Sequence, residues 1–223
     1  MGYTNFKSMV GKGNESLTRL LIVRHGETEW NTEGRIQGHT NSNLSKRGVA
    51  QAKALTKRLA KWKVDAVYSS DLTRAMETIA ATAKGHKLSA QPRVELREKG
   101  FGEWEGQTVA DVSERYPELW KRYHGERELD TPIPGGESWS QVQARVLGVL
   151  QEILETNPTD ATIAIVGHGA ALRPILLDAM QAPLTCLPRI SLENASLSIV
   201  EYKPPHGGRL MLLNDTSHLE DVK

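Results

Sequence analysis

The chain has 223 residues, 39% of them apolar and 25% charged, a composition that suits a soluble globular protein of one large domain or two small ones. Its 28 basic and 27 acidic residues leave a net charge of +1, so no broad field of either sign draws it to nucleic acid or an anionic membrane, and its apolar runs are too short to span a bilayer. Cys186 is the single cysteine, which excludes an intrachain disulfide and a cysteine-built zinc site and agrees with a reducing, cytoplasmic location.

Residues 1–17 are polar and rich in Gly, Ser and Asn, and read as a flexible lead-in to a single domain over residues 18–223. "RLLIV" (Arg19 to Val23) is short, apolar and β-branched, as a strand buried on both faces should be. After a polar loop, Ser45 is a candidate N-cap for a helix in which Val49, Ala52, Leu55 and Leu59 recur at helical spacing. "VDAVYSS" (Val64 to Ser70) reads as a second strand, and "DLTRAMETIAATAK" as the following helix with Asp71 near its start. The middle is irregular: "ELREKGFGEWEGQT" looks like a loop, Thr108 can cap a short helix through Tyr116, and a long mixed connection follows. Segments of this kind are often lids or binding loops. Regular structure returns with a helix carrying the stripe Val142, Val146, Val149, Leu150 and Ile153. "ATIAIVGHGAALRPILLDAM" then repeats the opening grammar of buried strand, glycine-containing turn with a histidine, and helix; "ASLSIVEY" and "RLMLLN" close the chain as an antiparallel pair.

Strands alternating with helices imply an α/β fold of three layers, a mostly parallel central sheet with helices on both faces. Ligands of such sheets gather at the carboxyl ends of the strands. The residues that follow the three candidate strands are Arg24 and His25, then Ser70, Asp71 and Arg74, then His168. Two histidines and two arginines at one sheet edge concentrate positive charge in an otherwise balanced protein, and a phosphoryl group neutralises such a cluster well because guanidinium forks match its oxygens. Arginine cannot ligate a cation, no H-E-x-x-H or Cys/His spacing occurs, and "GKGNES" lacks the spacing of a Walker loop, so a metal site and a nucleotide loop are both rejected.

"LLIVRHGETEWN" with "GRIQG", "YSSDLTRAMET", "LREKGFGEWEG" and "VGHG", in that order, resembles the histidine phosphatase superfamily, the phosphoglycerate-mutase-like enzymes, from about Arg19 to about Leu219. The resemblance implies their fold, with a small helical and loop lid at roughly residues 99–137. It implies His25 as the nucleophile, Arg24 and Arg74 as the phosphate-pocket arginines, His168 as the second pocket histidine and Glu98 as the general acid. Asn31, Gln37 and the amide of Gly169 match positions that contact the phosphate or the leaving group. Glu95, Glu103 and Glu105 are rivals to Glu98 on residue type alone. No metal and no cofactor is implied; a small phosphorylated metabolite is the expected partner, phosphate or sulfate is expected to occupy the pocket, and a homodimer is among the assemblies such enzymes form. Gly26 is expected to permit a tight, close-packed turn presenting His25 at the strand end.

Within the family a mutase would need a closed site and a long insertion after the glutamate, whereas "FGEWEGQTVADVSERYPELW" is followed by a short path to His168, as in the phosphatase branch. A weakly catalytic phospholigand-binding protein would be expected to lack His25, His168 or Glu98, and all three are present. Where the phosphatase branch usually has an acidic residue and a proline after "QG", this chain has "HTNSNLSKRG", so specificity among phosphomonoesters, α-ribazole phosphate, phosphoserine, sugar phosphates and phosphoglycerates is left open. Trp104, Trp120, Tyr123 and Trp139 are candidate lid aromatics, either facing an organic leaving group or packing into the core.

Overall fold

The computed structural model of the protein describes residues 17–203 and 207–222; nearly all of the lead-in, residues 1–16, lies outside them. β1 (Thr18–Arg24), β2 (Ala66–Ser70), β3 (Gln91–Arg93) and β4 (Thr162–Gly167) run parallel, and β5 (Leu197–Lys203) and β6 (Gly207–Asp215) complete a six-stranded sheet in the order β3-β2-β4-β1-β5-β6. β5 is antiparallel to β1, and β6 to β5.

The buried strands separate two cores by the two-residue alternation of side chains. Leu20, Ile22, Ile163 and Ile165 face α6 (Trp139–Thr156) and α7 (Arg173–Ala179), while Leu21, Val23, Ala164 and Val166 face α2 (Lys46–Leu59) and α3 (Thr73–Gly85). Each long helix matches the stripe read in its sequence except at one position. Val142, Val146, Val149, Leu150 and Ile153 of α6 are all buried, but Val49 of α2 is 44% exposed; Gly48 and Gln51 occupy the buried side of that turn instead. Ser45, Thr108 and Ser138 cap α2, α4 (Val109–Arg115) and α6 through their hydroxyls. Asp71 does not cap α3: its carboxylate is taken by Arg97 in a bidentate pair, and Asn41 accepts the Thr73 amide at 3.1 Å.

Two strand features lie outside the sequence reading. β3 is a three-residue edge containing Pro92, too short for an alternation pattern. β6 carries two register shifts, one between the Leu197–Asp215 and Ile199–Leu212 pairs and one between Ile199–Leu212 and Val200–Leu210; at the second, the extra residue Met211 leaves Leu210 and Leu212 in opposite cores.

The middle segment builds a third, smaller core of Trp104, Val112 and Ile133, with Phe101, Tyr116, Leu119 and Trp120 against it. It includes a four-residue helix, α5 (Pro117–Trp120), and a π-helical turn (Lys121–Gly125). Trp104 is fully buried and Trp139 nearly so, which answers the packing question for these two.

The β1 to α2 connection is close-packed, as expected. Gly26 does not adopt a left-handed backbone; rather, a Cβ there would stand 2.8 Å from the Gly48 carbonyl oxygen, and a Cβ on Gly48 would stand 1.9 Å from the Glu27 carbonyl oxygen. Two glycines thus let the first turn of α2 seat directly on the loop that follows β1. Alanine for glycine within a helix ordinarily stabilises by about 1 kcal/mol. Gly48→Ala should invert that sign and destabilise by roughly 1–3 kcal/mol, read as a lower urea midpoint; an unchanged or raised midpoint would show that the contact can relax.

Candidate active site

Register explains why the two histidines meet. Arg24 pairs with Gly167 across β1 and β4, so the next residues, His25 and His168, emerge side by side; their rings lie 5.1 Å apart at 59°. β2 brings Ser70 level with them, since Ser69 pairs with Val166.

The main chain of His25 is held from both sides. Its amide donates to the Gly167 carbonyl at 2.9 Å, and its carbonyl accepts from the Ala195 amide at 3.0 Å and Asn194 Nδ2 at 3.1 Å. Its side chain is 2% exposed, with Nδ1 2.7 Å from the Gly26 carbonyl oxygen. A carbonyl can only accept, so Nδ1 carries the proton and Nε2 keeps its lone pair. Burial first, then the neighbouring Arg24 and Arg74, hold the His25 pKa well below 6.5.

Arg74 is fully buried and ties three segments together. Nη2 donates to the Gly38 carbonyl at 2.7 Å, Nη1 to that of Thr40 at 2.8 Å, and Nε to His168 Nδ1 at 3.2 Å. Burial lowers its pKa to about 10, with Glu98 and Glu105 opposing, so it remains charged at neutral pH. His168, also fully buried, therefore accepts at Nδ1 and carries its proton on Nε2, 2.8 Å from Ser70 Oγ. Burial, then Arg74, His25 and Arg24, depress its pKa well below 6.5. Arg24 donates from Nη1 to the Leu192 carbonyl at 2.5 Å, and its Nε is buried without a partner.

Glu98 reaches this edge from the loop after β3. Its carboxylate accepts the amides of Lys99 at 2.9 Å, Ala170 at 3.0 Å and Ala171 at 3.1 Å, the last two in the turn after β4. Gly169 lies between it and Arg24: a Cβ there would be 3.4 Å from Arg24 Nε and 3.8 Å from Glu98 Oε2. The Gly169 amide enters no intramolecular hydrogen bond among the described residues. Glu105 is occupied elsewhere, accepting the amides of His39, Thr40 and Phe101, and Glu103 accepts from the Tyr116 hydroxyl at 3.3 Å.

Asn31 closes the capping box of α1 (Glu29–Thr32) with its carboxamide oxygen, which also accepts from Asn194 at 3.2 Å. Its amide nitrogen enters no hydrogen bond among the described residues. Gln37 is 8% exposed, and its carboxamide oxygen is buried without a partner. The structure thus brings Arg24, His25, Arg74, Glu98, His168 and Gly169 to one edge, and ties Asn31 to it through Asn194. Among the described residues no group of three His, Cys, Asp or Glu side chains could hold a metal ion, and no helix is long and apolar enough to cross a membrane.

Sequence reading missed the frame behind Glu98. Arg145 of α6 donates to the carbonyls of Glu95 at 2.6 Å, Arg97 at 2.8 Å and Glu98 at 2.9 Å, and forks onto both oxygens of Glu137. Glu137 accepts the Gly100 amide at 2.7 Å, and His39 Nε2 donates to the Glu98 carbonyl at 2.8 Å. Burial raises the Glu137 carboxyl, but His39, Arg145 and the Gly100 amide outweigh it and hold it well below the usual carboxylate range. Lys99 is fully buried, donating to the Glu137 carbonyl with its ammonium 4.9 Å from the Phe101 ring. Burial pushes its pKa down to about 8. No local pattern marks these residues, because most of their partners lie tens of positions away.

This architecture is shared. Phosphoserine phosphatase 1 of Hydrogenobacter thermophilus is 32% identical over 203 residues, covering 91% of this chain and 95% of that protein. A metal-independent phosphoserine phosphatase of Arabidopsis thaliana is 35% identical over 216 residues, covering 95% of this chain and 87% of the relative. The solved structure of Bacillus stearothermophilus YhfR superposes with a TM-score of 0.85 at 31% identity, over 91% of this chain and 100% of that one. With the model of the histidine phosphatase superfamily (branch 1) matching residues 20–216, whose buried strands end at the two histidines and the arginines just described, the chain belongs to that superfamily.

Proposed function

We propose that this phosphatase hydrolyses small organic phosphomonoesters with His25 as the nucleophile, the observation that carries this assignment being a buried, neutral imidazole whose Nδ1 is fixed on the Gly26 carbonyl. His25 Nε2 attacks phosphorus in line with the departing alcohol oxygen, giving a phosphohistidine. Of five guanidinium N–H donors, Arg24 engages one and Arg74 three inside the protein, so six remain between them for phosphate oxygens. The Gly169 amide, the Asn31 amide group and the Gln37 carboxamide extend that cradle. His168 contributes its Nε2 proton, which passes from Ser70 Oγ to a non-bridging oxygen when phosphate enters. Glu98 donates a proton to the leaving alkoxide and then accepts one from the water that attacks phosphohistidine.

The segment at 99–137 serves as the lid, its own small core letting it roof the pocket. Residues 18–223 act as a single catalytic domain, and free Cys186 suits a reducing, cytoplasmic setting. A small phosphorylated metabolite is the ligand such a pocket recognises, and phosphate or sulfate should occupy it.

The decisive experiment is p-nitrophenyl phosphate hydrolysis in excess chelator, wild type beside His25→Ala, with rapid quench for an acid-labile phosphoenzyme. Wild type should turn over and label, and His25→Ala should do neither; a labelled enzyme without turnover from any monoester would favour a mutase.

Within that assay, Arg74→Ala should lower kcat/KM on the order of 10²–10³-fold. Glu98→Gln should slow an alkyl phosphate about 10²–10⁴-fold and p-nitrophenyl phosphate much less, since nitrophenolate leaves without a proton. Equal losses on both esters would remove Glu98 from the role of acid.

The depressed imidazoles also set a pH dependence of stability. Below pH 6.5 the unfolded chain protonates His25 and His168 while the native state keeps them neutral, so stability falls as pH falls through that window. The drop in urea midpoint from pH 7.5 to 5.5 should be shallower in His25→Gln, and inorganic phosphate should raise the wild-type midpoint. An identical drop in both proteins would contradict a depressed His25.

A further inference from the structure

A guanidinium carries five N–H groups, and those of Arg145 are all engaged behind Glu98. Nε donates to Glu137 Oε1 at 2.7 Å, Nη1 to the carbonyls of Glu95 at 2.6 Å and Arg97 at 2.8 Å, and Nη2 to the Glu98 carbonyl at 2.9 Å and Glu137 Oε2 at 2.8 Å. Arg24 and Arg74 keep donors for a phosphate, but Arg145 has none to offer. Any part it takes in the reaction must pass through the groups it holds.

The Glu98–Lys99 peptide is the held group closest to the chemistry. Its carbonyl accepts from Arg145 Nη2 and from His39 Nε2 at 2.8 Å, and its N–H, on the opposite side of the same rigid plane, donates to Glu98 Oε1 at 2.9 Å. The plane thus relays the grip of Arg145 to the carboxylate. Oε1 also accepts the amides of Ala170 at 3.0 Å and Ala171 at 3.1 Å, whereas Oε2 has one longer contact, with the Ala170 amide at 3.2 Å. An oxygen that already accepts three N–H groups has no lone pair for a proton, so the proton of the acid belongs on Oε2. Oε2 is also the oxygen beside Gly169, 3.8 Å from where a Cβ would stand.

We propose that Arg145 is a positioning residue for proton transfer to the leaving group, fixing the Glu98–Lys99 peptide so that amides hold Oε1 and Oε2 presents the proton. This rests on Glu98 as the general acid. As the bond from His25 Nε2 to phosphorus forms and the ester P–O bond breaks, the Oε2 proton moves to the leaving oxygen and Glu98 is left as the carboxylate. Lysine cannot replace Arg145 here, because a single ammonium does not span three carbonyls and both oxygens of Glu137.

The test compares phenyl phosphate with p-nitrophenyl phosphate, esters of similar shape whose leaving groups differ in their need for a proton. The readout is kcat/KM, which reports the steps through departure of the phenol. In Arg145→Lys it should fall about 10- to 100-fold for phenyl phosphate and less than about threefold for p-nitrophenyl phosphate. His39→Ala, which removes the other donor to the Glu98 carbonyl, should show a smaller loss with the same selectivity. Glu98→Gln is the reference: equal losses on both esters there, or a wild type that hydrolyses neither, sink the acid assignment and the role of Arg145 with it. If Glu98→Gln is selective for phenyl phosphate while Arg145→Lys slows both esters alike, or neither, Arg145 is a structural residue and this proposal alone fails. Should Arg145→Lys not fold, as read by circular dichroism, His39→Ala decides: a loss confined to phenyl phosphate supports the relay, and an equal loss on both esters, or none, overturns it.

Discussion

Two guanidinium groups lie out of water at the carboxyl edge of the sheet, beside two imidazoles that the same field keeps neutral, with the Glu98 carboxylate in reach. Such a cluster is unfavourable unless its donors are satisfied. Of these donors, four are engaged within the protein, three of them by the main-chain carbonyls of Leu192, Gly38 and Thr40 rather than by acidic side chains. The choice of partner matters chemically. Carbonyl dipoles hold the arginines in place without cancelling their charge, so the positive potential stays available to an incoming phosphoryl group. Much of the surrounding fold follows from this requirement: the level ends of β1, β2 and β4, the loop bearing Gly38 and Thr40, and the turn that offers Ala170 and Ala171 to Glu98.

Glu98, the proton carrier in the mechanism we propose, joins the positive edge from a loop. A loop residue would ordinarily be a poor place for an acid needing accurate position. Here Arg145, projecting from a long helix packed on the sheet, binds three successive stretches of that loop's backbone and also Glu137, which in turn holds Gly100. The rigid layer thereby lends its order to the loop. Lys99, buried between Glu137 and the Phe101 ring, adds a cation facing the aromatic side chains of the middle segment.

Strand periodicity and the rule that α/β ligands gather at strand carboxyl ends were enough to place Arg24, His25, Arg74 and His168 together from residues alone, and the family resemblance added Glu98 and Gly169. Both cues are local or topological, which is why they carry. Val49 failed because the hydrophobic stripe ignored that Gly48 must face Glu27. Asp71 lies just before α3 as read, but its pairing with Arg97, twenty-six positions away, has no local signal. The close-packed turn expected at Gly26 is there, and the approach of Gly48, not a positive φ, is what demands the glycine. Arg145 looks like an ordinary helix charge in the sequence; its meaning comes from contacts that tertiary packing creates.

The two ends of the sheet have a bearing on the chain at high concentration. An open strand edge offers unpaired amides and carbonyls to any neighbour, the route by which folded sheets stack into larger aggregates. β3 presents only three residues, one of them Pro92, which has no N–H to give. β6 is longer and shows Met211 and Leu213 to solvent, but the extra residue at Met211 breaks the even spacing a second strand would need to pair along its length. Each edge is thus blunted by a different irregularity, and a substitution that straightened β6 would turn a self-limiting sheet into one able to grow.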